Sequence, residues 1–398
     1  MENIVDYLKW RGDILLDDCP FNDVDNLVLS LLSYLGFDGI VPSERSNKTV
    51  LLSDACQKMI ENIKKDPSLI SGLSRIDTTF LEALIDSPRF AKARLGKYVN
   101  RLHLFLLFPY HNKNMQFAGL TIYLPNGSRF ISYRGTDGTL VGWRENLDLS
   151  FKITAADKRA AQYLEARIRE YLQDTQTAAG AHILVGGHSK GGNLASYAAT
   201  VLPQELLPYI DRIWSNDGPN MCPGILDSTA HDILGEKYIR ILPQFSVVGM
   251  IFNDPQTPFT IVKSSETGMM AHDGISWQVE RDHFITCDDF TPECKKVNEA
   301  FSSWYTDLPL EKRETMTNEL FDALEAGGAV YFNEITASAS SLRAVLSALM
   351  NTDRRTWSVF ADLFGALVSA SALTIREQMN PRQLFSPTTD KDKGGPSQ

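Results

Sequence analysis

The run from Ala181 to Tyr197 limits the fold of this chain more than any other stretch. Apolar residues from Ile183 to Val185 lead into Gly187-His188-Ser189-Lys190-Gly191, and an alanine-rich segment follows at once. This order predicts a buried strand, a sharp Gly-x-Ser-x-Gly turn and a helix that starts without a linker. Such a turn lifts a serine hydroxyl to the end of a sheet. The glycines have a mechanical role. The serine backbone is strained there, and side chains on either flank would collide with the neighbouring strand and helix.

The rest of the chain supplies the elements such a sheet needs. Residues 1 to about 95 read as helical: Leu27, Leu31, Tyr34 and Leu35 recur at helical spacing behind Asp23 as a cap, and periodic segments cover Leu51–Ile63 and Thr78–Ile85. Short apolar runs then replace the helical period, at Leu102–Phe108, Phe117–Leu124 and Arg129–Tyr133. The last two flank Pro125-Asn126-Gly127-Ser128, a hairpin signal, so three strands open the sheet. Thr154-Ala155-Ala156-Asp157 is a capping box for a helix to about Gln173. After the elbow, Ile210–Ser215 and Tyr238–Leu242 read as strands. Strands alternating with helices predict an α/β fold with a mainly parallel sheet flanked by helices. From about Val297 the pattern is helical again, including Leu342–Met350 and Trp357–Leu373, and the tail from Ser386 has a disordered composition. The expected organisation is a helical N-terminal segment (1–95) packed on the core, an α/β core (96–295), a helical C-terminal region (296–385) and a disordered tail (386–398).

Charge narrows the partners. With 39 basic against 49 acidic residues, the net charge of -10 repels phosphate backbones and anionic membranes, which argues against nucleic acid as a partner. No run of 18 apolar residues predicts stable membrane insertion, and no basic and apolar leader opens the chain. Five scattered cysteines, Cys19, Cys56, Cys222, Cys287 and Cys294, suit a reducing, cytoplasmic setting. No His/Cys/Asp/Glu cluster has metal-ligand spacing, so neither a metal nor a cofactor is expected. Nothing in the residues specifies an oligomeric state.

A serine hydroxyl needs a base, an acid to orient the base, and an oxyanion hole. In α/β-hydrolases the order along the chain is Ser, then Asp or Glu, then His. Of seven histidines, His103, His111 and His182 precede the elbow, His188 lies inside it as a packing residue, and His231 comes before the Tyr238 strand. His272 and His283 remain, and His272 sits in a loop after the last predicted strands, where a base returns over the sheet. One oxyanion amide comes from the residue after the nucleophile, Lys190. The second is expected from Arg134-Gly135-Thr136-Asp137, where Thr136 offers its backbone N–H and a hydroxyl. A lysine at the start of a helix opposes the helix dipole, so the Lys190 ammonium calls for a nearby carboxylate or a substrate anion.

Arg134-Gly135-Thr136-Asp137 with Trp143, the elbow, and His272 together resemble the class 3 lipase group of α/β-hydrolases. A closer resemblance is to the largely bacterial Mbeg-like proteins, allied to those lipases. It rests on Ser189-Lys190-Gly191-Gly192-Asn193, on Asp217-Gly218-Pro219, and on Asp6–Asp13 and Phe21–Asp25, and covers roughly residues 1 to 285. The resemblance implies an α/β-hydrolase fold and a serine hydrolase acting on acyl or lipid-like esters. One departure stands out: Ser246 occupies the position where class 3 lipases carry the acid. Asp217 before Gly218-Pro219 matches the alternative placement of the acid one strand earlier, Ser246 as a neutral partner is a second option, and Asp254 a third. The expected triad is Ser189, His272 and Asp217. The alternative is a catalytically weak or inactive binding or scaffold protein on the same fold.

Overall fold

A computed structural model describes residues 2–66, 76–103, 115–137, 140–174 and 181–326. Eight strands form one sheet in chain order: β1 (Thr49–Leu51), β2 (Arg94–His103), β3 (Met115–Tyr123), β4 (Arg129–Tyr133), β5 (Ile183–His188), β6 (Ile210–Asn216), β7 (Tyr238–Pro243) and β8 (Thr260–Val262). The pairings from β1 to β4 are antiparallel, and those from β4 to β8 are parallel. A small antiparallel ribbon, β9 (Val279–Glu280) and β10 (His283–Phe284), lies outside the sheet.

Helices cover both faces. One core joins α1 (Ile4–Arg11), α2 (Asp23–Leu32), α3 (Leu52–Ile63) and α4 (Thr78–Asp86) to Phe130, Leu184, Trp214 and Ile241 of the sheet. The other joins α6 (Ala155–Gln173) and α7 (Lys190–Thr200) to Ile131, Ile183, Val185 and Ile213. Neighbouring strand residues thus face opposite cores, because side chains alternate across a strand. β4 and β5 are buried along their whole length, as central strands with helices on both sides must be. Among the described residues the remaining α-helices are α5 (Leu140–Asp148), α8 (Ala230–Leu234), α9 (Pro292–Asp307) and α10 (Leu310–Ala326). Among the described residues no helix is long and apolar enough to cross a membrane.

The Thr154 capping box and the helix to Gln173 stand as the residues predict. Two expectations shift. Asn22, not Asp23, caps α2, and Asp25 completes the box while also binding the buried Arg89 guanidinium. The strand expected at Leu102–Phe108 runs instead from Arg94 to His103, with an irregularity near Lys97 at φ 55°. Its polar alternation hides it from a search for apolar runs. β1 precedes it, so four strands rather than three make the antiparallel part. Residues 104–108, the stretches Leu342–Met350 and Trp357–Leu373, and the tail from Ser386 lie outside the described residues.

Candidate active site

Ser189 stands between β5 and α7 at φ 58° and ψ −134°, a strained backbone that costs on the order of 1–3 kcal/mol and persists only under local constraint. The constraint is steric. A Cβ on Gly191 would lie 2.2 Å from the Tyr133 carbonyl oxygen, and one on Gly187 would lie 2.3 Å from Gly191 backbone. Hydrogen bonds fix the turn from below: the Ser189 N–H donates to Asn216 O at 2.9 Å, and Gly192 N–H donates to Ser189 O at 2.9 Å. The Ser189 side chain does not cap α7, and its hydroxyl forms no hydrogen bond among the described residues.

Asp217, at the end of β6, is fully buried and has φ 48°. One carboxylate oxygen lies 2.6 Å from His272 Nδ1. The other accepts the Ser246 hydroxyl and the Gly249 N–H, the latter at 3.0 Å. The structure therefore gives the imidazole to Asp217 and gives Ser246 to Asp217. The remaining options lie apart from this group. Asp254 closes its own turn with Thr257, and His283 is 61% exposed beside Asp282. The loop after β7 is held by the buried Arg240, which donates to Gly249 O at 2.5 Å and to Asn253 Oδ1 at 2.8 Å. Val247 and Phe252 are buried in the same loop. On its far side the Ser246 N–H donates to Cys294 Sγ at 3.2 Å, and burial pushes that thiol up to about 11.

His272 ends a 3-10 turn, Gly268–His272, and is 9% exposed. Its carbonyl oxygen lies 2.7 Å from Nε2 of His188, whose ring centroid is 4.6 Å from that of His272. Burial pushes the His188 pKa well below its usual value, and the neighbouring His272 adds to the effect. His188 is thus neutral, as a packing residue should be.

Lys190 finds a carboxylate. Its buried ammonium lies 2.8 Å from Glu145 Oε2 on α5 and donates to Gln116 O at 3.0 Å and to the Gln116 side-chain oxygen. Burial raises Glu145 to about 7 against the pull of this ammonium. The Gln116 amide in turn donates to Gly135 O at 3.3 Å. In a trans peptide the carbonyl and the following N–H point in opposite directions, so this bond also orients the Thr136 N–H. The loop abuts Ser189: a Cβ on Gly135 would lie 3.0 Å from Ser189 Cβ. The Thr136 hydroxyl is committed to Asn146 Oδ1 at 3.0 Å, which leaves its backbone N–H as the group on offer.

Gln116, Glu145 and Gly249 were not singled out from the sequence, Tyr34 was read only as part of a helical face, and Ser246 was not read as a partner of Asp217. The one signal was Lys190, a cation at a helix start, which demanded an anion but could not choose among 49 acidic residues. Among the described residues no group of three His, Cys, Asp or Glu side chains could hold a metal ion.

The Mbeg1-like family model matches residues 84–322. Among solved structures, M37 lipase shares 17% identity at a TM-score of 0.36, over 58% of this chain and 70% of that one. Lipase II from Rhizopus niveus shares 15% at 0.32, over 52% and 81%. The lipase from Rhizopus microsporus var. chinensis shares 15% at 0.33, over 55% and 78%. No curated protein matches the chain.

Proposed function

This chain belongs to the Mbeg1-like family, and from the site it carries we propose that it is a serine hydrolase of carboxylic esters with an acyl or lipid-like chain. The reading is carried by the 2.6 Å contact between His272 Nδ1 and Asp217, on a histidine whose backbone is bonded to the residue directly before Ser189. With its Nδ1–H donated to the carboxylate, His272 keeps Nε2 free as the base.

Ser189 Oγ attacks the ester carbonyl as His272 Nε2 takes its proton. The carbonyl oxygen becomes an oxyanion held by the Lys190 and Thr136 N–H groups, where each such donor contributes about 3 kcal/mol to the transition state. Collapse of the intermediate breaks the C–O bond, and His272 returns the proton to the leaving alcohol. Water then repeats the sequence on the acyl-enzyme and releases the carboxylic acid. Asp217 stays ionised throughout and stabilises the imidazolium. The acyl or lipid-like class is supported by the half-buried Met269 and Met270 in the turn that carries His272. A reducing, cytoplasmic setting belongs to the same reading, with five free thiols in its favour.

A fluorophosphonate probe tests the proposal directly. Wild type should be labelled at Ser189 and hydrolyse p-nitrophenyl esters, and Ser189→Ala should lose both. An unlabelled wild type, or an alanine variant with full esterase activity, overturns it. One observation favours the alternative of a binding protein on a hydrolase scaffold: the Ser189 hydroxyl is not hydrogen-bonded to His272. Catalytic contacts are often long before substrate binds, which weakens that objection. An unlabelled Ser189 would favour the scaffold.

A further inference from the structure

We infer that Tyr34 and His188 are positioning residues that tie the turn carrying His272 to the loop carrying Thr136, so that base and oxyanion donor keep one spacing around Ser189. The inference rests on the serine-hydrolase reading and names two groups that reading does not use.

The chemistry of the contacts assigns the protons. A carbonyl oxygen can only accept, so the 2.7 Å contact with His272 O places the His188 proton on Nε2. Nδ1 is then the acceptor, and it takes the Tyr34 O–H at 3.0 Å. The Tyr34 oxygen also lies 3.2 Å from the His188 carbonyl oxygen and packs against Gly135 on its other side. Space is tight at that contact, because a Cβ on Gly135 would lie 2.1 Å from the Tyr34 oxygen. The line therefore runs by packing from Gly135 to Tyr34, and by hydrogen bonds from Tyr34 to His188 and on to the His272 backbone. Gly135 directly precedes Thr136, and its own carbonyl is held by Gln116, so its peptides are anchored on both sides.

Both groups are suited to holding rather than reacting. Burial keeps the Tyr34 phenol protonated and keeps the His188 ring neutral. A neutral His188 does not compete with His272 for the serine proton. Trp277 closes the arrangement from the far side: its ring meets that of His188 edge-on, and its Nε1–H donates to Ala271 O at 3.0 Å. Tyr34 follows α2 and lies before residue 84, where the family match begins. The N-terminal helices thereby contribute a group to the active site as well as a core.

A positioning role predicts a loss in the chemical step rather than in binding. A misplacement of about 1 Å costs on the order of a hundredfold in rate. For Tyr34→Phe, kcat on p-nitrophenyl butyrate should fall between about ten- and a hundredfold, KM should stay within about twofold, and fluorophosphonate labelling of Ser189 should slow in parallel. His188→Leu should show the same split. His188→Gln, whose amide N–H can still reach the His272 carbonyl, should recover at least half of the loss on a logarithmic scale. Rates are normalised to the folded fraction by circular dichroism, which separates a stability effect from a positional one. If Tyr34→Phe and His188→Leu keep wild-type kcat and labelling rate per folded molecule, the inference is overturned while the hydrolase reading stands. If wild type itself is neither labelled nor active, both fall.

Discussion

The turn that carries Ser189 is made from consecutive residues, whereas the groups that serve it are gathered from Thr136, Asp217, Ser246, Gly249 and His272, on separate stretches of chain. The first region is held by exclusion: Gly187 and Gly191 leave no room for any other side chain. The second is held by hydrogen bonds between residues 29 to 55 positions apart. A sterically built site tolerates no change in shape, while a hydrogen-bonded one tolerates a change in the identity of its outer members. Ser246 illustrates the tolerance. It stands where class 3 lipases are expected to carry the acid, and here its hydroxyl donates to Asp217, one strand earlier.

The largest expected effect falls on the acid itself. Asp217→Asn should keep the fold and lose about 10⁴-fold in esterase rate, because an amide leaves the imidazolium unstabilised and disturbs its tautomer. Ser246→Ala removes one of three hydrogen bonds to Asp217 and should cost only about tenfold. Steady-state kinetics on both variants check the ratio, and equal losses would show that Ser246 is as essential as the acid. The contiguous region should fail differently. Gly191→Ala drives a methyl group into the Tyr133 carbonyl, and should cost about 3 kcal/mol or more in denaturant unfolding, with activity falling only as the folded fraction falls.

A smaller, pH-dependent effect belongs to the contact between the two regions, Lys190 with Glu145. The Glu145 carboxyl ionises near 4.5 when the chain is unfolded and at about 7 in the fold. Between these values the folded form keeps a proton that the unfolded form has lost. Stability contributed here therefore falls as pH rises from about 4.5 to about 7 and levels off above that. The change is at most about 3.5 kcal/mol, at roughly 1.4 kcal/mol for each pH unit between the two values. Asp157, raised from 3.8 to about 6 by burial, adds to the same slope. Unfolding measured across this range should show a shallower slope for Glu145→Gln, with the Asp157 part remaining. Above about pH 7, where Glu145 is ionised in the fold, stability of the variant should also fall, because the buried Lys190 ammonium loses its anion.

How much could be read in advance divides along the same line. The elbow, the Thr154 capping box, the hairpin at Asn126-Gly127 and the fully buried central strands were legible, since each depends on neighbours a few residues away. β2 was not, because its alternation includes Arg94, Lys97 and Asn100, polar residues whose partners are Thr49, Asn47 and Asp38 far back in the chain. His188 was legible only as a packing residue. Its bond to the His272 carbonyl joins residues 84 apart, and the one it makes with Tyr34 spans 154.

Order along the chain was enough to expect a serine on a strained turn, with a histidine after it and a threonine before it. Those expectations follow from local sterics and from the direction a chain must run to build a parallel sheet. Asp217 was the expected partner of His272 with Ser246 and Asp254 left open, and folding chose among the three; which anion meets Lys190 and what holds Gly135 were decided by folding alone. A buried donor accepts any acceptor of the right geometry, and the chain offers many of equal chemistry. Only the packing of β6, α2 and α5 around the elbow brings Asp217, Tyr34 and Glu145, rather than others, within reach.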